Sequence, residues 1–596
     1  MQTKFDVVII GSGAGGAPIA HTLARAGKSV LILEKGPLLK PQYQNSDGLS
    51  DFKRDELFST GPEKKLRIAG VANQGDSYYG SHVEPDLNDE PHVYRGKDGQ
   101  DRATIEGYTA QVVGGGTQLY GGVSLRFTPT DFRLRSFNEG RRDLRNDPNS
   151  DVPREARDWP ISYDDLEPYY CKAEELVGIN GTRENQLKPA SVDHYQPPLE
   201  PNPISHFIEL GMDALGMPRY RTPLAVITQD HVPSGRKAAD PKTAFVNRYG
   251  DPLGLKSNTW VSLLTPISTL PNFEIRPNSV VTHLECEGAR ISRVHYRGPG
   301  GAPQTVEGTL VIVACSAIES VRLLKLSAEA DPEFDRRINQ NDLLGKYFLT
   351  HCFGGGQAIV PGRYDKSITL DSDWATDFGA REEFLREYGL WAGGAIYNNT
   401  SDEALPIALG RTHGAQDLDT IWQAFINDTQ LTGDRLAQFV DENFGSRLSL
   451  AFMANQVPVK TNRIELHPIV RDKWGRKVAY VIKDWHLHDI ALMDVLADQC
   501  GQILRRGIGP TGKDFSQGAI YMASNAPARM ANHILGGARF GNDPADSVLD
   551  RDCRAWHFDN LYLTDGAFMP TSGGANPTLT IQANSFRVAD LLTARC

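Results

Sequence analysis

The sequence predicts an α/β protein, because apolar strands followed by helices recur at three separated places. The first unit runs from the strand Phe5–Ile10 through a helical stretch to the strand Ser29–Leu33. A second apolar strand at 309–314 leads into a helix that starts at Ala317, and a third at 560–564 precedes the closing helix. Such alternation is typical of parallel sheets that are covered by helices.

Composition and charge narrow the class of protein. A chain of 596 residues with 40% hydrophobic and 23% charged residues indicates a globular protein of about two large domains or more. The formal net charge of -11 argues against a nucleic-acid partner, since phosphate binding requires clustered Lys and Arg. No apolar run approaches the roughly 20 residues of a membrane span, and the N-terminus enters a strand directly instead of a signal peptide. We therefore expect a cytoplasmic protein, with export bound to a signal-bearing partner left open.

The cysteines and histidines do not form a metal-binding pattern. His486 and His488 lie two residues apart, but the sequence shows no third ligand, and we predict a strand or loop there. No Cys-x-x-Cys occurs, and no spacing suits zinc or an iron–sulfur cluster. We expect no metal and seven reduced thiols, which are Cys171, Cys286, Cys315, Cys352, Cys500, Cys553 and Cys596.

A dinucleotide-binding motif follows the first strand. Gly11 suits a tight turn, Gly13 lets a pyrophosphate approach the backbone, and Gly16 lets the helix pack on the strand. The helix predicted from Ala14 directs the positive end of its dipole toward the phosphates. Glu34 ends the second strand and can accept hydrogen bonds from ribose hydroxyls. This unit predicts a dinucleotide cofactor but does not distinguish FAD from NAD.

Two further motifs lie between the N-terminal unit and the strand at 309–314. A glycine-rich segment at 112–122 would let a backbone lie against a flat ligand. Ser162, with Asp165 three residues later, forms a variant of the capping box and predicts a helix that runs to about Leu176.

In their order along nearly the whole chain, these segments resemble the glucose–methanol–choline (GMC) oxidoreductase family. The segments at 159–163 and 532–537 are most similar to its sugar- and polyol-oxidising branch, to which pyranose oxidase and the gluconate and fructose dehydrogenases belong. The matching segments are the N-terminal motif, 114–126, 159–176, 309–327, 345–351, 533–541 and 565–584.

The resemblance implies an α/β fold, α+β overall, with a Rossmann-like FAD-binding domain and a substrate-binding domain built around an antiparallel sheet. The expected FAD-binding domain covers 1–330, with excursions at about 41–108 and 131–200. The substrate-binding domain is expected at 331–525. A return segment at 526–596 would complete the FAD-binding domain and the active site.

The same resemblance implies which residues contact FAD. In pyranose oxidases the glycine loop carries a histidine bonded to the flavin; Leu119 stands at that position here, so we expect non-covalent FAD. The expected contacts are Gly11, Gly13, Ala14, Gly16, Glu34, Gly115, Gly116, Thr117, Val281, Asp565, Gly566, Pro577 and Thr578.

The resemblance also implies the catalytic pair. Alcohol oxidation removes a hydride from carbon and a proton from oxygen, so a base must accept the proton. His533 matches the family's base, and Asn576 matches the partner that orients the hydroxyl. The helix that begins near Pro577 would stabilise negative charge on the reduced flavin. His351 also matches a family position, but its role is left open.

The expected function is therefore oxidation of a small-molecule alcohol, predicted to be a sugar, glycoside or polyol. A polar stretch with Trp and Tyr at about 360–425 favours such a carbohydrate substrate. A redox-neutral, lyase-like flavoprotein and a catalytically inactive flavin-binding subunit remain alternatives. The electron acceptor (oxygen, a quinone-like molecule or a protein) is left open.

Overall fold

The structure is a computed structural model of the chain, and its secondary structure contains both strands and helices. It describes residues 2–52, 66–73, 87–104, 107, 110–141, 144, 149–240, 251–360, 362, 364, 372–398, 433–435, 437–438, 446–509, 513–514 and 533–595. The strands are β1 (Lys4–Ile10), β2 (Val30–Leu33), β3 (Ala72–Asn73), β4 (His92–Arg95), β5 (Asp101–Thr104), β6 (Tyr220–Arg221), β7 (Phe273–Arg276), β8 (Val280–Glu287), β9 (Arg290–Arg297), β10 (Pro303–Val313), β11 (Phe348–Ile359), β12 (Trp374–Thr376), β13 (Gly394–Asn398), β14 (Arg447–Asn455), β15 (Arg463–Arg471), β16 (Lys477–Ile482), β17 (Lys513–Asp514), β18 (Ile534–Gly536) and β19 (Leu561–Leu563).

The helices connect these strands and cover the sheets. They are α1 (Ala17–Arg25), α2 (Leu134–Phe137), α3 (Val152–Glu155), α4 (Tyr163–Val177), α5 (His206–Ala214), α6 (Ala317–Ala330), α7 (Pro332–Ile338), α8 (Glu382–Glu387), α9 (Leu487–Ile508) and α10 (Thr578–Thr593). Across the described part of the chain, none of them is both long and apolar enough to cross a bilayer.

The first sheet is the parallel one that the sequence predicts. Its parallel strands lie in the order β7–β2–β1–β10–β19, and β9 and β8 extend it in antiparallel fashion. Ile10 pairs with both Leu33 and Val313, so the carboxyl ends of three strands share one edge. Ligands of open α/β sheets bind outside this edge.

The second sheet is antiparallel and is centred on β11 and β14. Its order is β17–β11–β14–β13–β12–β6, and β18 pairs with β11 at the end opposite to β17. The long helix α9 packs against it through Leu492, Leu496 and Ile503, which belong to one buried apolar cluster with Phe452 of β14. The α/β prediction with a second, antiparallel sheet is confirmed.

A third sheet joins distant parts of the chain in the order β15–β16–β4–β5–β3. Its first two strands come from the segment predicted for substrate binding, whereas the other three come from the excursion at 41–108. The excursion shows no periodicity in the sequence, because two- to four-residue strands are too short to display an alternating pattern. The predicted domain boundaries stay a prediction.

Local predictions differ in how well they hold. The capping box is confirmed, since Ser162 accepts a hydrogen bond from the Asp165 backbone at the start of α4. The first helix begins at Ala17, because residues 13–16 form a turn instead of helix. The strand or loop predicted around His486 is wrong: His486 caps α9, and its ring accepts from the backbone of His488.

Candidate functional site

The N-terminal glycines meet different surroundings at the carboxyl edge of the first sheet. Gly11 has a φ of +100°, and a Cβ there would lie 2.3 Å from the Ala314 carbonyl oxygen. A Cβ on Gly16 would lie 2.1 Å from the Gly11 carbonyl oxygen. On Gly13, by contrast, the nearest atom would be the Gly115 Cα at 3.8 Å. The fold itself thus requires Gly11 and Gly16, whereas Gly13, in the turn that contains Ala14, is only in ordinary contact with the segment that carries Gly115.

The second glycine loop lies directly against the turn that contains Gly13. Gly115 begins a short 3-10 turn with a φ of +54°. The Ser12 hydroxyl accepts a hydrogen bond from the Gly114 backbone at 2.9 Å. The Thr117 hydroxyl accepts from the Thr259 backbone at 3.0 Å, and the Thr259 hydroxyl donates to the Ser12 carbonyl at 2.8 Å. These bonds fix the 115–117 backbone, including Gly116, against the N-terminal turn.

Glu34 and Val281 lie near each other at one end of the site. The Glu34 carboxylate is buried and accepts from the Ser12 hydroxyl at 2.6 Å and the Gly36 backbone at 2.9 Å. Burial raises the pKa of this carboxyl, and the hydrogen bonds oppose that shift. The Ser279 backbone donates to the Glu34 carbonyl at 2.8 Å, which places Val281 two residues farther along β8.

Asp565 and Gly566 link the first sheet to the second. A Cβ on Gly15 would lie 2.8 Å from the Asp565 nitrogen, so the two turns are in contact. Burial raises the pKa of Asp565 to about 6, and its carboxylate accepts hydrogen bonds from the Ser320 hydroxyl and the Ala567 backbone. A Cβ on Gly566 would lie 3.0 Å from the Ile534 carbonyl oxygen, which brings β18 to this corner.

His533 stands immediately before β18 and is partly buried. Ile534 pairs with Thr350 of β11, so His533 lies beside His351. The two imidazole rings are 5.0 Å apart between centroids and meet at 82°. The Phe353 ring lies 5.6 Å from His533 on the other side. The second sheet thus places the predicted base near Gly566, which follows the last strand of the first sheet.

Asn576 ends a turn that is fastened to the second sheet. The Ala395 backbone donates to the Gly574 carbonyl at 2.9 Å, and the Ser572 hydroxyl donates to Asn455 Oδ1 at 3.0 Å. Asn576 Oδ1 is buried and has no hydrogen-bond partner within the described residues. A buried polar atom of this kind is costly unless a ligand satisfies it.

The first residues of α10 follow this turn directly. Pro577 is the N-cap of α10 and Thr578 its first residue. The first N–H groups of a helix lack intrahelical partners and carry partial positive charge. The turn and the helix start therefore present an amide side chain and backbone donors next to one another.

Several supporting residues could not be found from the sequence. Ser12, Thr259, Ser320 and Asn455 each hold a predicted site segment, but their partners lie 22 to 245 residues away. Hydrogen bonds over such separations leave no local pattern. The stretch at 360–425 is described only at 360, 362, 364 and 372–398, so its proposed sugar contacts lie largely outside the described residues.

Two expectations concern what the site lacks. Leu119 is partly buried against Phe52, Ala110 and Val112, and its side chain has no atom that could bond covalently to a flavin. No group of three or more His, Cys, Asp or Glu side chains among the described residues could hold a metal ion.

The chain matches known proteins along most of its length. A model of the GMC oxidoreductase family matches residues 458–585, and a model of an FAD binding domain matches residues 6–65. A 2-methyl-1,2-propanediol dehydrogenase from Mycolicibacterium austroafricanum is 26% identical over 99% of this chain and 95% of its own. The fructose dehydrogenase large subunit of Gluconobacter japonicus is 26% identical over 98% of this chain and 97% of its own.

The fold is also similar to that of a solved structure. A formate oxidase structure from Aspergillus oryzae RIB40 superposes with a TM-score of 0.61 at 13% identity, covering 100% of this chain and 98% of that one. Fold and matches define an FAD-dependent oxidoreductase that acts on CH–OH donors. Residues 458–585 of the chain are thus similar to those of GMC oxidoreductases.

The described residues fit FAD. Two glycine turns lie against each other at Gly13 and Gly115, and their lack of side chains lets a pyrophosphate approach backbone N–H groups. Glu34 and Val281 lie at one end of the site, and the unpartnered Asn576 Oδ1 follows the turn fastened to the second sheet. The arrangement suits a long ligand that has phosphates in its middle.

Proposed function

We propose that the protein oxidises an alcohol group of a sugar, glycoside or other polyol, with His533 as the base and Asn576 as the residue that orients the hydroxyl. One observation carries this proposal: His533 lies beside His351 of β11, and the 572–576 turn is fastened to Asn455 of β14, which pairs with His351. When bound, FAD supplies the hydride acceptor.

His533 has the chemistry that the alcohol proton requires. A neutral imidazole accepts a proton near neutral pH, which neither Asn576 nor the neighbouring Phe353 can do. Phe353 and His351 pack around its ring and restrict its rotation. The ring is only partly buried, so a substrate can reach it.

Asn576 can direct the hydroxyl toward that base. Its buried Oδ1 accepts a hydrogen bond, and its amide donates one. Holding the reacting atoms in one geometry lowers the barrier because the entropy of orientation is lost on binding instead of during reaction.

Replacing Asn576 with Ala should leave FAD bound and slow flavin reduction by substrate about 5- to 150-fold, because a net hydrogen bond is worth about 1 kcal/mol and a charge-assisted one about 1.5–3 kcal/mol. Anaerobic stopped-flow absorbance measures this rate. The base remains in place, so the pH profile should keep its shape. An unchanged rate would exclude Asn576 from the reaction.

The substrate class follows from the site and from the relatives. Gln456 Nε2 and Asn576 Oδ1 are buried without hydrogen-bond partners in the described chain, so a ligand with several hydroxyls can pair with them. The similar proteins named above are a propanediol dehydrogenase and a fructose dehydrogenase subunit. Both names specify substrates with more than one hydroxyl group.

A panel of sugars, glycosides, diols, long-chain alcohols and aromatic alcohols tests the proposed function. We expect anaerobic bleaching of the flavin to be fastest with a polyhydroxylated substrate. Faster bleaching by a long-chain or aromatic alcohol would contradict the substrate class. Substrate turnover without bleaching would indicate redox-neutral chemistry, and no turnover at all an inactive subunit.

Non-covalent attachment of FAD is a further part of the proposal. Because Leu119 offers no nucleophile, acid precipitation should release all flavin into a yellow supernatant and leave a colourless pellet. Digestion of the pellet followed by mass spectrometry supplies the control for incomplete release. A peptide that carries flavin mass would disprove the proposal.

A further inference from the structure

His351 is a buried histidine to which the proposed chemistry gives no role. It lies on β11 and is 0% exposed. Neither ring nitrogen forms a well-aligned hydrogen bond within the described part of the chain. Burying such a group without a partner destabilises a fold, so a purely structural role is poorly served by histidine at this position.

The surroundings of His351 include the proposed base on one side. β18 pairs with β11 up to Thr350, which leaves His533 next to His351 beyond the last pair. The rings meet edge to face at a centroid distance of 5.0 Å. This contact restricts the orientation of the His533 ring.

The turn that carries Asn576 lies on the other side. His351 pairs in register with Asn455 of β14, and Asn455 Oδ1 accepts from the Ser572 backbone at 3.2 Å. Backbone groups of Ser572, Gly573 and Ala575 act on the His351 ring directly and favour its protonated form. His351 therefore lies beneath the turn and between the two residues that are proposed to handle the alcohol.

His351 is unsuited to act as the base itself. Burial, together with the nearby His533, lowers the pKa of His351 well below its usual range, and the backbone groups of the turn only partly oppose this. This shift favours the neutral form of the ring. A group that does not titrate near neutrality cannot produce a pH-dependent limb there.

We propose that His351 is a positioning residue that holds the His533 ring and the 572–576 turn in their reactive arrangement. The inference rests on the proposed roles of His533 and Asn576. The edge-to-face contact restrains the base, and the ring lies close to backbone groups of the turn. Loss of the nitrogens would shift Asn576 relative to His533 without removing either group.

Two variants separate the ring from its nitrogens. His351→Phe keeps a ring against His533 but removes both nitrogens, whereas His351→Gln keeps a donor and an acceptor. In anaerobic flavin reduction, His351→Phe should lower the rate constant of reduction about 10- to 100-fold, since a displacement of about 1 Å can cost about 100-fold. His351→Gln should be faster than His351→Phe, and the pH-dependent limb should persist in both.

Cys352→Ala is the matched control on the same strand. Cys352 points to the opposite face of β11, into the buried cluster beneath α9. Its replacement should therefore lower Tm and leave the rate constant of flavin reduction unchanged. A wild-type rate constant of flavin reduction in His351→Phe would overturn the proposal. It would also be overturned if flavin reduction in His351→Gln were no faster than in His351→Phe. If His351→Phe loses its FAD, His351→Gln provides the test. Flavin reduction in His351→Gln that still depends on pH supports the positioning role, and loss of that pH dependence overturns the proposal. Failure of the proposed function shows separately, as an undiminished rate in His533→Ala.

Discussion

Replacing His533 with Ala should slow flavin reduction by substrate at least about 100-fold while FAD stays bound, because general-base catalysis contributes about 100- to 10,000-fold. The side chain packs beside His351 and Phe353 but supports no strand pairing, so the fold should survive. In the wild-type protein the rate should rise with pH as the base loses its proton and then level off. That limb should disappear in His533→Ala.

His231 supplies a matched control for the loss of a buried histidine. Its ring bonds to the Ser234 hydroxyl at 2.7 Å and to the Glu175 carbonyl at 2.8 Å, near the end of α4. Burial lowers the pKa of His231 to about 4, so it contributes no charge near neutrality. His231→Ala should reduce Tm and leave both the rate and its pH limb unchanged. Equal rates in wild type and His533→Ala would refute the assignment of the base.

The parallel part of the fold could be predicted because its signals are local. The motif of Gly11, Gly13 and Gly16 depends on close approaches within one strand–turn–helix unit, and it follows a strand that is buried throughout its second half. β10 and β19 are equally buried near their carboxyl ends and therefore apolar in sequence. A motif whose interacting residues lie within about 30 residues of one another can be recognised from the sequence alone.

The third sheet could not be predicted for the opposite reason. Tyr480 of β16 pairs with Val93 of β4, although the two residues are separated by more than half of the chain in sequence. No local sequence pattern predicts that two short strands so far apart will pair, because their pairing depends on tertiary packing. The segment at 72–104 therefore showed only its turn-forming composition.

The candidate site likewise contains residues that could be predicted from the sequence and residues that could not. The family resemblance could identify His533 and Asn576 as a pair, but it could not show what holds them. Asn455 fastens the Asn576 turn, and His351 packs beside the base, through contacts that exist only after β11, β14 and β18 assemble. A supporting residue is recognised by its neighbours, whereas a reacting residue is recognised by its chemistry.

Replacing Gly13 with Val should give a folded protein that binds FAD more weakly. A Cβ at this position meets nothing closer than 3.8 Å in the protein, and the backbone needs no positive φ. The added methyl groups would instead hinder the approach of the pyrophosphate to the backbone of the glycine turns. Overpacking costs about 1–3 kcal/mol, which corresponds to FAD binding weakened about 5- to 150-fold.

Gly16→Ala distinguishes loss of cofactor from loss of fold. Its Cβ would lie 2.1 Å from the Gly11 carbonyl oxygen, so the strand–helix packing itself must shift. Circular dichroism should show native structure for apo Gly13→Val at the Tm of wild-type apoprotein, and a lowered Tm for apo Gly16→Ala. Titration of each apoprotein with FAD, followed by flavin fluorescence, measures affinity independently of activity. Wild-type affinity in Gly13→Val would place the pyrophosphate elsewhere, because a ligand in contact with the Gly13 backbone cannot share that space with a valine side chain.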